Sequence, residues 1–161
     1  MRFFLFFILL FFTKCLTCQT RKVSDGLLFD TSLKYNKDCL DIEILHYYTS
    51  GGKYPRSSET LTKEANNFLI NKRDSSSGNG YLTFQFTIDC TGQIKKGVYL
   101  RQTDDKYHHY KFDSSLVYNL FAYIKTLSNW RIAKDVHGTT FNYKTYMTFK
   151  IYNGKVINII P

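Results

Sequence analysis

One short stretch holds the side-chain types that metal binding or acid–base chemistry uses: Asp104-Asp105 followed by His108-His109. Carboxylate and imidazole are ordinary metal ligands, and imidazole is the side chain that titrates nearest neutral pH. The spacing argues against a site. On a loop two adjacent histidines point apart, and no third ligand is fixed by spacing. A solvated loop is the expected reading, and His46 and His137 stand alone as surface or turn residues. No Gly-x-Ser-x-Gly, His-Glu-x-x-His or Gly-rich phosphate loop occurs in the chain. No catalytic residue, cofactor or metal is therefore assigned, and the chain is not expected to be an enzyme. Trp130 is expected in the core at a helix end, not as a ligand-stacking ring.

Cysteine is the other reactive type. Cys15-Leu16-Thr17-Cys18 has the spacing of a redox dithiol, but no helix N-terminus follows to lower a thiol pKa. It abuts a leader instead. Met1-Arg2 is a positive start, Phe3 to Phe12 is unbroken apolar, and Thr13-Lys14-Cys15 turns polar. That is the layout of a signal peptide, residues 1–18, because a membrane span needs roughly 20 apolar residues. Cleavage after Cys18 would leave Gln19 first. Lipoprotein processing would retain Cys18 as an acylated residue, but Leu16-Thr17 is a poor approach to such a site. Membrane association is thus expected only if Cys18 is lipidated. Export into an oxidising compartment makes Cys39 and Cys90 a structural disulfide.

The full chain of 161 residues carries 22 basic and 13 acidic side chains, net +9. Losing Arg2 and Lys14 with the leader lowers this by two, to +7. The basic residues are scattered from Arg21 to Lys155, never more than two together, whereas nucleic-acid binding wants them clustered on one face. No nucleic-acid partner is expected.

The elements follow from periodicity. Residues 19–56 form a polar lead-in with one strand, where Leu40, Ile42 and Ile44 alternate with Asp41 and Glu43. Ser57 to Asn71 reads as a helix capped by Ser58 or Thr60, with Glu64 answering, and with Leu61, Ala65, Phe68 and Leu69 on one side. Asp74 to Gly80 reads as a flexible connector. Leu82, Phe84, Phe86 and Ile88 share one face of a strand. Cys90 to Gln93 is a turn, and Ile94 to Thr103 returns as the second strand of a hairpin. After a polar loop, Asp113 or Ser114 caps a helix whose stripe is Leu116, Val117, Leu120, Phe121, Ile124 and Leu127. Phe141 to Tyr152 is a third long strand, Asn153-Gly154 a hairpin turn, and Lys155 to Ile160 a final strand. This order predicts an α+β, two-layer domain over residues 57–161. Its antiparallel sheet has three to four strands, with helices packed on one face. The expected core is Phe84, Phe86, Leu120, Phe121, Ile124, Trp130, Phe149 and Ile151.

Several phrases together carry a resemblance. They are Phe84-Gln85-Phe86-Thr87-Ile88-Asp89 with Thr91-Gly92-Gln93-Ile94, then Leu127-Ser128-Asn129-Trp130-Arg131-Ile132-Ala133, Gly138, Asn142-Tyr143 and Phe149-Lys150-Ile151. From Gly80 to Pro161 the chain resembles the C-terminal domain of TonB, the bacterial energy-transducing protein, with Ile132 where that family often has proline. The resemblance implies an exported, stand-alone binding or scaffolding module of the bacterial periplasm or outer membrane. It would take an extended peptide of an envelope protein along a sheet edge by β-augmentation. A transducer would also need a membrane-spanning start and a long proline-rich reach, and this chain has only Pro55 and Pro161. The edge implied is the third strand: Asn142, Tyr143, Lys144, Tyr146, Thr148, Lys150 and Tyr152. Residues 155–160 are long enough to occupy that edge. A partner would then displace them, swap them in a homodimer, or use the opposite edge at Ile94 to Thr103. The alternative reading is a small envelope enzyme or metal-binding protein using the His108/His109 loop.

Overall fold

Alternation in the sequence sets the centre of the sheet. In β3 (Gly80–Ile88) every second residue is buried, so Leu82, Phe84, Phe86 and Ile88 face inward while Tyr81, Thr83, Gln85 and Thr87 are half-buried on the other face. The computed structural model describes residues 26–28, 36, 38, 39, 45, 46, 54–95 and 97–161. The expected leader (1–18) and most of the strand expected around Leu40 to Ile44 lie outside the described residues.

β3 pairs antiparallel with β4 (Val98–Thr103) on one side and with β7 (Tyr143–Tyr152) on the other. The return strand is shorter than the sequence reading. Ile94 makes only an isolated bridge to Ile88, and regular pairing resumes at Gln85 with Tyr99. The intervening turn is built on Asp89, whose Oδ1 accepts from the N–H groups of Thr91 and Gln93 and from the Thr91 hydroxyl. Beyond Asn153-Gly154, β8 (Lys155–Ile160) pairs antiparallel with the second half of β7. Ile151 faces Val156 and Lys150 faces Asn158, so Ile157 is the extra residue of a β-bulge. A separate two-stranded ladder joins β5 (Ala133–Lys134) to β6 (Thr140–Phe141). Asn142 separates β6 from β7, so the third long strand is interrupted one residue after Phe141.

Two strands come from the lead-in, where one was expected. β1 (Gly26–Leu28) pairs antiparallel with β4, and β2 (Leu45–His46) pairs parallel with the start of β7.

Both helices lie on the apolar face, giving the α+β two-layer arrangement with an antiparallel sheet of four main strands. α1 (Ser58–Asn71) buries Leu61, Ala65 and Leu69, with Phe68 partly covered. Its cap is Ser57, ahead of the expected Ser58 or Thr60: the Ser57 hydroxyl accepts from Thr60 N at 3.1 Å. Glu64 reaches back to Arg56 at 2.6 Å instead of closing a capping box. α2 (Ser114–Thr126) buries the expected stripe, with Asp113 at its N-cap position making no side-chain cap bond. Tyr123 joins that stripe, its hydroxyl donating to the Leu61 carbonyl at 3.2 Å and tying the helices together. All eight expected core side chains are buried. Phe84 packs on Phe121 and edge-on to Phe149, while Trp130 stands edge-on to both Phe86 and Tyr54.

The connector at 74–80 is fastened, not loose. Asp74 accepts from Ser76 N and from the Asn119 amide, Gly154 N donates to the Gly78 carbonyl, and Asn153 N donates to Asn79 Oδ1. A methyl group on Gly154 would stand 1.8 Å from the Ser76 carbonyl oxygen, so only glycine lets the two turns meet.

Candidate partner-binding edges

The edge implied for partner binding runs along β7. Its Lys144, Tyr146, Thr148, Lys150 and Tyr152 side chains stand on the helix-free face, half-buried or exposed. The first two residues of the set are different, because both are buried. Asn142 accepts from Cys90 N at 3.0 Å, and the Tyr143 hydroxyl donates to the Arg131 carbonyl at 2.8 Å. Burial pushes the Tyr143 phenol up to about 12. The outer side of β7 carries β2 at Tyr143 and Lys144 and β8 from Thr148 to Tyr152. Residues 155–160 thus occupy the outer side of β7 over its second half.

β8 then becomes the outermost strand on that side, and α1 seals it. Asn66 Nδ2 donates to the Val156 carbonyl at 2.7 Å, and Val156 N donates back to Asn66 Oδ1 at 3.1 Å. Two turns earlier on the helix, the Ser58 hydroxyl donates to the Ile159 carbonyl and accepts from Ile159 N at 3.4 Å. Because Ile157 is bulged, Val156 and Ile159 both turn their main-chain groups away from β7. The eight residues between Ser58 and Asn66 span about 12 Å of helix, close to three residues of strand at about 3.3 Å each. Two polar side chains therefore stand in for a further strand, satisfying main-chain groups that would otherwise template pairing. The sequence reading missed both residues, because a polar residue on a helix reads as solvated unless the neighbouring strand is known.

The opposite edge, along β4, is covered by β1 at Val98, Tyr99 and Leu100. Further on, the Gln102 carbonyl accepts from Tyr110 N at 3.3 Å, and Thr103 bridges His109. The Gln102 side chain is buried, with Oε1 accepting from Phe112 N at 3.0 Å. Among the described residues β1 covers Gly26 to Leu28, three residues.

The histidine loop is a turn organised by Asp104. Its Oδ1 accepts from Lys106 N and His108 N, and its Oδ2 lies 3.3 Å from His108 Nδ1. Desolvation pushes the Asp104 carboxyl up, but the N–H groups of His108 and Lys106 outweigh it and hold the group below the usual carboxylate range. Among the described residues no three His, Cys, Asp or Glu side chains gather as metal ligands would. Cys39 and Cys90 are disulfide-bonded, with Cα atoms 5.6 Å apart, so the lead-in is stapled to the β3–β4 turn.

No helix among the described residues is long and apolar enough to cross a membrane. Compared with family models, curated proteins and solved structures, the chain matches none.

Proposed function

We propose that the chain is an exported cell-envelope binding or scaffolding module of the TonB C-terminal type. In this reading an extended segment of a partner envelope protein becomes an additional strand at the β4 edge, replacing β1. The observation that carries it is the inequality of the two sheet edges. The β7 side is closed by β8, which is continuous with β7 through a tight hairpin and sealed from outside by Asn66 and Ser58. The β4 side is closed by a three-residue strand from the lead-in. An incoming strand would recover the same main-chain bonds along Val98 to Leu100, which is the basis of affinity in β-augmentation. Displacing β8 would instead break the main-chain ladder to β7 and orphan two capping side chains.

The test compares the parent with Leu28→Pro, which takes a backbone N–H from β1. Both are titrated with extended peptides drawn from envelope proteins. Weakening the resident strand should tighten peptide binding in the variant while β8 stays protected from amide exchange. Equal affinity of the two proteins, or loss of β8 protection on binding, would place the exchange elsewhere and end this reading.

A further inference from the structure

The helix-free face of the sheet has a second feature, independent of strand pairing. Pairing registers lay its side chains out in rows. Thr103, Tyr81 and Lys150 form one row, and Arg101, Thr83 and Thr148 the next. Tyr107 reaches over this face from the β4–α2 loop and stacks on Tyr81, with centroids 5.1 Å apart and planes 8° from parallel. Lys150 Nζ lies 5.9 Å from the Tyr81 ring centre. Among the described strand residues pointing away from the helices in β3, β4 and β7 there is no Asp or Glu, while Arg101, Lys144 and Lys150 are all there.

The loop is built to present that ring. Tyr107 has φ of 64°, the left-handed region that a bulky side chain avoids, and the residue is 72% exposed. The Asp104 carboxylate holds the backbone there through the N–H groups on either side, of Lys106 and His108. A hydrogen bond to the Tyr81 hydroxyl raises the Tyr107 phenol above its ordinary value. Strained backbone that displays an exposed aromatic is a pattern found at binding sites.

Two hollows of about 330 Å³ flank this tyrosine pair. One has Arg101 with the hydroxyls of Thr83, Thr103 and Thr148 in its lining. The other is lined by both Lys150 and the Asp105 carboxylate, so the first hollow carries the net positive charge. Each hollow therefore combines an aromatic wall with a single cation, and the first adds several hydroxyls.

We propose that this face binds an anionic polysaccharide. Sugar rings lay their C–H faces on the tyrosine slab, their hydroxyls meet the threonines, and their acidic groups meet Arg101 and Lys150. The tyrosine rings supply apolar contact without demanding burial, and the absence of acids on the strands makes the face complementary in charge to such a chain. Strand spacing sets the two cations about 12 Å apart at their Cα atoms, wider than one sugar ring, which selects a polymer over a monosaccharide.

The experiment titrates the full chain with oligogalacturonate, a uronate polymer, and with a neutral glucan and poly-glutamate of similar length. Uronate binding is expected at low salt, weakened at least about tenfold by Tyr107→Ala and by Arg101→Gln with Lys150→Gln. Tyr107→Phe should retain it, because the ring remains. Lys63→Gln removes one positive charge from the exposed side of α1 and should leave affinity unchanged. Thermal melts of all variants verify that the fold is intact. Equal affinity for the neutral glucan would overturn the proposal. So would poly-glutamate binding as tightly as uronate with no effect of Tyr107→Ala, since that is attraction by charge alone. Absence of uronate binding at low salt would overturn it as well.

Discussion

Asn66 meets the backbone of Val156 twice, donating to its carbonyl and accepting from its amide, across 90 residues of sequence. One carboxamide thereby supplies both bonds that a neighbouring strand would supply at that residue. Asn66→Ala leaves the two groups facing the helix without their partner, and the expected loss of stability is roughly 1–3 kcal/mol. Asn67→Ala, at an exposed position of the same helix, should stay within about 0.5 kcal/mol. Urea unfolding compares them, and coincident midpoints would mean that water serves Val156 as well as Asn66 does.

The register of the central strands predicts a second contrast. Phe86 and Phe149 are 2% and 0% exposed on the helix side, whereas Tyr152 is 57% exposed on the other. Truncating either phenylalanine to alanine should cost roughly 3–5 kcal/mol. Tyr152→Ala should cost about 0.5 kcal/mol or less. Denaturant midpoints decide it. Phenylalanine variants that unfold with the parent would mean that the two faces are exchanged by a one-residue slip.

The same alternation explains what could be read from the chain beforehand. Leu82 to Ile88 and Leu116 to Leu127 announce their faces because each repeats one period over several turns or pleats. β1 was missed because Gly26-Leu27-Leu28 is too short to show a period. The Ser57 cap was missed because Ser57, Ser58 and Thr60 are chemically interchangeable there, and only the backbone turn chooses among them. As partners of β8, Ser58 and Asn66 carry no signal of their own. Their role depends on where β8 lands, which is a property of the fold and not of the helix.

Cys39 and Cys90 should be inaccessible to alkylation in the oxidised protein, read by mass spectrometry without reductant. Reduction, or Cys90→Ala with Cys39→Ala, should cost roughly 2–4 kcal/mol, because the bridge closes a separation of 51 residues. Two alkylated thiols at these positions in the oxidised protein would refute the pairing.

Alkaline pH should destabilise the fold through Tyr143. Below about pH 10 the phenol is protonated in the folded and unfolded chains alike, and its contribution is intact. Between there and the folded value of about 12, only the unfolded phenol ionises, so stability falls as pH rises through that window. Tyr143→Phe should weaken the protein by about 1 kcal/mol at pH 8, where it loses the bond to the Arg131 carbonyl. It should also flatten the alkaline decline. Unfolding free energies at pH 8, 10 and 12 test both parts, and parallel curves for the two proteins would exclude Tyr143 as the titrating group.

The clasp between α1 and β8 also dictates an order of events in time. Ser58 and Ile159 are 101 residues apart. α1 cannot find its final partner until β8 is available, and β2 must likewise wait for β7, its parallel mate. Local units such as the β3–β4 hairpin and α2 can form early, but closure is a late step of large loop entropy, and such topologies fold slowly. A growing chain therefore stays open until residues 155–160 arrive, and those residues act as the latch that ends the search.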